Sequence, residues 1–144
     1  MEQPHTFEDI WYREKPATES TRADPFVRER GRLVVEGDAI RFEGKKNSIV
    51  MRGIEALEYA VHGSMTNPSL HVRYREGGEA RSAWLTDGGL GGYSGVFGGT
   101  RRLAQALSHL APTTLDDAGA GRSQKRLMWI LGGLVLLFIV RVFL

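Results

Sequence analysis

Residues 31–61 read GRLVVEGDAIRFEGKKNSIVMRGIEALEYAV. Runs of β-branched and aromatic residues alternate here with breaks rich in Gly, Asp and Asn, the pattern of short antiparallel strands joined by tight turns. Arg32–Val35 and Ala39–Glu43 flank Glu36-Gly37-Asp38 as a hairpin. Gly44-Lys45-Lys46-Asn47 forms a second turn, and Ser48–Arg52 a third strand. Gly53–Ala56 turns a corner into a fourth strand, Leu57–Val61, where Leu57, Tyr59 and Val61 alternate with Glu58 and Ala60.

The same grammar continues toward the C-terminus. After the loop at 62–69, Leu70, Val72 and Tyr74 face one way and His71, Arg73 and Arg75 the other. Glu76-Gly77-Gly78-Glu79 is a hairpin turn into a sixth strand, Ala80–Leu85. Asp87–Gly99 holds seven glycines, with Tyr93, Val96 and Phe97 among them. Thr100 is the expected N-cap of a helix whose stripe of Leu103, Ala104, Ala106, Leu107, Leu110 and Ala111 is apolar, and Pro112 ends it. Toward the N-terminus, Phe7, Ile10 and Trp11 recur at helical spacing, which fits an amphipathic turn or a short strand. Pro16 and Pro25 break the stretch that follows.

Six or seven short strands and one amphipathic helix predict a mainly β domain. Its expected form is a small, strongly bent antiparallel barrel or sandwich whose seam the helix closes. The expected organisation is an N-terminal extension at 1–29, the domain at 30–111, a flexible basic linker at 112–126 and a membrane span at 127–144.

That span, LMWILGGLVLLFIVRVFL, carries no charge from 127 to 140. Eighteen helical residues cover roughly 27 Å, against a hydrocarbon core of about 30 Å. Arg141 is placed to snorkel toward the far headgroups, and Trp129 sits at interfacial depth. Arg122, Lys125 and Arg126 precede the span and mark that flank as cytoplasmic. Gly132-Gly133 offers a small-residue surface for another helix, without making a G-x-x-x-G pattern. The expectation is a single-pass, tail-anchored membrane protein with its N-terminal domain in the cytoplasm. The N-terminus, MEQPHTFEDIWYREK, lacks the basic start and apolar core of a secretory signal.

Acids and bases balance in the first 111 residues, fifteen of each, so the net charge of +2 belongs to the C-terminal segment. A nucleic-acid partner would need a basic face on the domain, and none is expected. Without cysteine, disulfides, thiol catalysis and thiolate metal sites are excluded.

Two stretches carry a family resemblance: GRLVVEGDAIRFEGKKNSIVMRGIEALEY (31–59) and WLTDGGLGGYSGVFGGTRRLAQAL (84–107). The first resembles the opening strands of bacterial pleckstrin-homology-like (PH-like, GRAM-like) domains, where an isoleucine corner follows the third strand. The second resembles a glycine-rich ending found in uncharacterised bacterial membrane-linked proteins of that type. The resemblance covers about residues 30–111. It implies a bent seven-stranded barrel capped by a C-terminal helix, and the binding of lipids, peptides or protein surfaces rather than catalysis. Fold alone does not choose among those ligands.

Residue chemistry points the same way. The glycine loop Gly88–Gly99 before a helix invites phosphate or nucleotide binding, but neither G-x-G-x-x-G nor G-x-x-x-x-G-K-[ST] fits it. Glycines in a tightly bent last strand are the favoured account of the loop, although Arg101 and Arg102 keep a weak anion site in view. Gly92-Tyr93-Ser94-Gly95 misses the G-x-S-x-G nucleophile spacing because Val follows at 96. The four histidines, His5, His62, His71 and His109, form no metal-ligand pattern. No catalytic, cofactor or metal residue is expected.

Phosphoinositide-binding domains of the resembled family have a basic first hairpin loop, whereas Glu36-Gly37-Asp38 is acidic. A smaller anion or lipid patch is assembled from Arg41, Lys45, Lys46 and Arg52, with Arg101 and Arg102 beyond it. The expected partner surface is Arg73, Arg75 and Arg81 on the Leu70–Leu85 hairpin, because aromatic residues and arginine dominate interface energetics, with Tyr93 and Phe97 either its exposed anchors or plugs of the barrel. The expected function is a non-enzymatic, membrane-anchored binding or scaffolding module recognising a membrane or membrane-proximal protein. Lipid-headgroup sensing is the alternative, and phosphate or nucleotide binding at the glycine loop the third reading.

Overall fold

A computed structural model describes residues 4–14, 29–61, 68–89, 95 and 97–143. Eight strands lie in one sheet: β1 (His5–Arg13), β2 (Glu29–Glu36), β3 (Ala39–Gly44), β4 (Ser48–Met51), β5 (Ile54–Ala60), β6 (Ser69–Glu76), β7 (Glu79–Asp87) and β8 (Thr113–Leu115). Among the described residues, α1 (Gly99–Leu107) and α2 (Asp117–Phe143) are helices. The protein is mainly β, as expected.

The sheet order is β4-β3-β2-β1-β7-β6-β5-β8, antiparallel except for the parallel β5–β8 pair. β4 and β5 stand near opposite ends of that order, yet only Arg52 and Gly53 join them. Two residues bridge at most about 11 Å between flanking Cα atoms. The sheet must therefore curl until its ends approach. Hydrogen bonding stops at β4 and β8, so the curl leaves a seam and the sheet does not close.

The inner face of the curl is the core. Ile10, Leu33, Ile40, Phe42, Met51, Leu57, Leu70, Val72 and Leu85 are all buried there. Each such side chain contributes roughly 1.5–3 kcal/mol by leaving water. Tyr12 stacks on Phe42 with ring centroids 4.9 Å apart. α1 lays Leu103, Ala104 and Leu107 on this face and presents Arg102 and Gln105 to solvent.

Four details depart from the sequence reading. First, β1 lies in the middle of the sheet, between β2 and β7, so the sheet begins at His5 rather than near residue 30. A bulge between Phe7 and Ile10, with Asp9 at a left-handed φ of 57°, interrupts its alternation. Second, the stretch expected as a linker is structured. Pro112 O accepts from Leu57 N, β8 pairs with β5, and Asp116 N donates to Tyr59 O. α2 starts at once and runs through Arg122, Lys125 and Arg126 into the apolar segment.

Third, the residue preceding α1 is Gly98, at φ 102°, and not Thr100. Thr100 is fully buried, and its hydroxyl accepts the Asp87 N–H at 3.0 Å instead. Fourth, α1 stops at Leu107, ahead of Pro112. The Ser108 hydroxyl donates to Gln105 O, and His109 Nδ1 lies 2.9 Å from Ala106 O, satisfying carbonyls of the last turn.

Candidate functional site

The two-residue turn at Gly77-Gly78, both at positive φ, fixes the β6–β7 register. Tyr74 then opposes Arg81, Arg73 opposes Ser82 and His71 opposes Trp84. Outer-face residues of β6 are His71, Arg73 and Arg75, and those of β7 are Ser82 and Trp84. Arg81, opposite buried Tyr74, belongs to the other face. The three arginines expected as one surface are thus divided two against one. Arg81 lies 3.4 Å from Glu76 and 3.6 Å from Glu79 across the hairpin end.

On the outer face, the His71 and Trp84 rings stack with centroids 4.4 Å apart and planes within 3° of parallel. His71 Nε2 is 2.9 Å from Ser82 Oγ, and Nδ1 is 3.9 Å from Glu58 on β5. Only 16% of the His71 side chain is exposed, so this imidazole is held in place rather than solvated. The Trp84 indole N–H is buried and has no hydrogen-bond partner among the described residues. Arg13 on β1 lies opposite Trp84 on its other side. A lateral row, Glu58–His71–Trp84–Arg13, therefore crosses four strands.

Next to that row, Arg73 is exposed and, among the described residues, unpaired. Arg75 is bound to Glu55 and to Gly78 O. Trp11 lies on the same face, opposite Thr86. A β-carbon on Gly88 would fall 2.3 Å from the Trp11 indole nitrogen, so the glycine is required for this close approach.

The patch expected to hold anions is charge-balanced. Arg41 lies 3.0 Å from Glu36 and 2.9 Å from Glu43, and Glu43 is shared with Arg32. The Arg32 hydrogen bond lowers the Glu43 carboxyl below its usual range. Lys45 and Lys46 flank Glu29. Burial pushes Glu29 upward, but bonds from the Lys46 and Asn47 N–H groups and the Asn47 amide outweigh it and leave the carboxyl lowered. A cleft of about 760 Å³ at this end is bordered by Glu8, Asp9, Glu29 and Glu43 and by Arg30, Arg32, Lys45 and Lys46, four charges of each sign. Arg52 is exposed at the β4–β5 corner, at the other end of β4 from Lys45 and Lys46.

Near the glycine loop, Arg101 is bound bidentately to Asp117 at 2.6 and 3.0 Å. That bond holds the Asp117 carboxyl below its usual range. Arg102 is exposed, and Phe97 is 46% exposed. Tyr93 lies outside the described residues, as does His62. A second groove, about 590 Å³, opens between α1 and the β1–β2 pair, lined by His5, Phe7, Val35 and His109. No group of three or more His, Asp or Glu among the described residues is arranged to hold a metal.

α2 is long and apolar enough to cross a membrane, with a mean hydropathy of 2.1 over its best window and none of that window buried. Gly132 and Gly133 floor a shallow groove on one side, between Met128, Trp129 and Leu136, with Lys125 at its mouth. Arg141 is in the last turn. Asp116 caps the helix, its carboxylate accepting the Gly119 N–H at 2.9 Å.

No protein-family model and no curated protein matches the chain. Its function is therefore argued from the residues above.

Proposed function

We propose that this chain is a non-enzymatic binding module of the bacterial PH-like type. In this reading α2 anchors it in a membrane, its domain faces the cytosol, and it serves as an accessory subunit of a membrane complex. The observation that carries the reading is the outer face of β6–β7. There a mostly buried His71–Trp84 stack lies beside the exposed Arg73, which is unpaired among the described residues. A rigid aromatic platform with an adjacent guanidinium is the composition that dominates protein interfaces, because it brings large contact area at little cost in side-chain entropy.

A bent sheet capped by one helix supports the PH-like assignment. The apolar α2 and its basic first turns support the anchor and its orientation. Lipid-headgroup recognition through Lys45 and Lys46 is less favoured, because four carboxylates balance the four bases of that cleft.

The test is purification of the full chain in mild detergent, beside Arg73→Glu and Trp84→Ala variants with unchanged circular dichroism. The expected result is a membrane protein retained stoichiometrically by the native chain and lost from both variants. Retention by all three, or by none, refutes recognition through this face.

A further inference from the structure

We infer that α2 is a rigid stalk that presents one chosen end of the domain to the bilayer, rather than a tether on which the domain swings. The inference rests on the reading of α2 as a membrane span. Three independent contacts fix the base of the helix. β8 extends the sheet beside β5 and leads into α2 through Asp116 alone. The Asp116 N–H continues the ladder to Tyr59 O, while its carboxylate caps the helix. Asp117 is gripped by Arg101 from α1. Ala120 still packs against the core, after which the helix leaves the domain. A swinging linker would need backbone free of such bonds. Here the chain passes from sheet to helix within two residues.

The direction follows from the strand polarity. β8 is parallel to β5, so it leaves the sheet at the C-terminal end of β5. That end also carries the start of β6, the end of β7 and, through the Asp87–Thr100 bond, the N-terminus of α1. Phe97, Gly98 and Arg102 are therefore neighbours of the stalk base, and the β6–β7 turn lies at the far end of the same hairpin. From Asp117 to Arg126 the stalk measures about 15 Å before the apolar segment begins. From Ala80 to Asp87, β7 covers about 23 Å away from that base. The surface facing the headgroups is the α1 N-terminal end, with Arg102 on the domain and Arg122, Lys125 and Arg126 on the stalk. Its partner is the anionic leaflet in which the chain itself is anchored.

The chain lacks cysteine, so single labels are easily placed. Full-length Phe97→Cys and Ala80→Cys proteins, labelled with a donor fluorophore, are reconstituted into phosphatidylcholine–phosphatidylglycerol vesicles containing an acceptor on the headgroups. Energy transfer from position 97 should exceed that from position 80. Replacing Thr113–Leu115 with Gly-Ser-Gly should abolish the difference. Arg101→Asp should reduce it, and the exchange Arg101→Asp with Asp117→Arg should restore it. Equal transfer from both positions of the otherwise native chain, or greater transfer from position 80, overturns the stalk. A full chain that does not float with the vesicles overturns the membrane reading itself and the stalk with it.

Discussion

Truncating Ile10 tests whether β1 is a structural strand or an appendage. Ile10 is 2% exposed and sits between Gly31 of β2 and Asp87 of β7. Ile10→Ala removes three carbon groups, and at about 0.8 kcal/mol each the transfer loss is about 2.4 kcal/mol. The neighbours are strands pinned by hydrogen bonds on both sides, so collapse is partial, and a residual cavity of about 40 Å³ adds roughly 1 kcal/mol. The total, about 3.4 kcal/mol, corresponds to a fall of about 14–27 °C in Tm for a domain of this size. Ile10→Val should cost about 1 kcal/mol, and exposed Thr6→Ala on the same strand less than about 0.5 kcal/mol. The assay is thermal unfolding of the full chain in mild detergent, followed by the circular dichroism of the sheet. If Ile10→Ala melts within a few degrees of Thr6→Ala, the N-terminal segment is no part of the core and the sheet order is wrong.

Other positions give equally direct tests. Gly88→Ala should destabilise the domain by about 1–3 kcal/mol, because the new β-carbon meets the Trp11 indole at 2.3 Å; Trp11→Ala in the same chain should recover part of that loss in the same melt. Asp116→Ala should cost about 0.5–2 kcal/mol of helix stability and speed hydrogen exchange at the Gly119 amide, whereas Asp116→Asn should be nearly neutral. The Arg101 bond lowers the Asp117 carboxyl, so its contribution is present above the ordinary aspartate value of 3.8 and is lost as pH falls through the lower folded value. Protection of the amides in the first turn of α2, relative to their intrinsic exchange at each pH, should therefore be flat from neutral pH down to about 4 and fall only below it, and a fall near pH 6 would assign the clamp to another group.

Much of the sheet is legible because tight turns dictate register. Once Gly77-Gly78 is placed as a two-residue turn, the pairing of His71 with Trp84 follows by counting back along both strands, and so does the separation of Arg81 from Arg73. Treating all three arginines as one surface neglected that count. β1 was ambiguous for a different reason. Its inward side follows Phe7, Ile10 and Tyr12, and the bulge at Asp9 inserts one residue between the first two. A period of two with one insertion imitates the i, i+3 spacing of a helix turn. β8 has no local signature at all. Thr113–Leu115 is too short to show alternation and lies between a proline and two aspartates, so only its distant partner at Leu57–Tyr59 makes it a strand. The charges of the expected anion patch were visible, but not their pairing, because Glu29, Glu36 and Glu43 reach it only after the strands align.

The strand at 113–115 also changes what an anchor achieves. A flexible tether raises the concentration of a domain near its membrane partners but leaves every orientation to be sampled. A helix fused to the sheet removes much of that search in advance, so less orientational freedom is lost when a partner docks. The His71–Trp84 face lies on the outer side of β6–β7, of which β6 adjoins β5, and β5 in turn pairs with β8, which leads into α2. In the proposed reading, its height and aspect above the membrane would be set by residues 112–120, which lie outside that face. Changes in that short stretch should alter recognition without altering the recognising surface, whereas in a tethered module they would be silent.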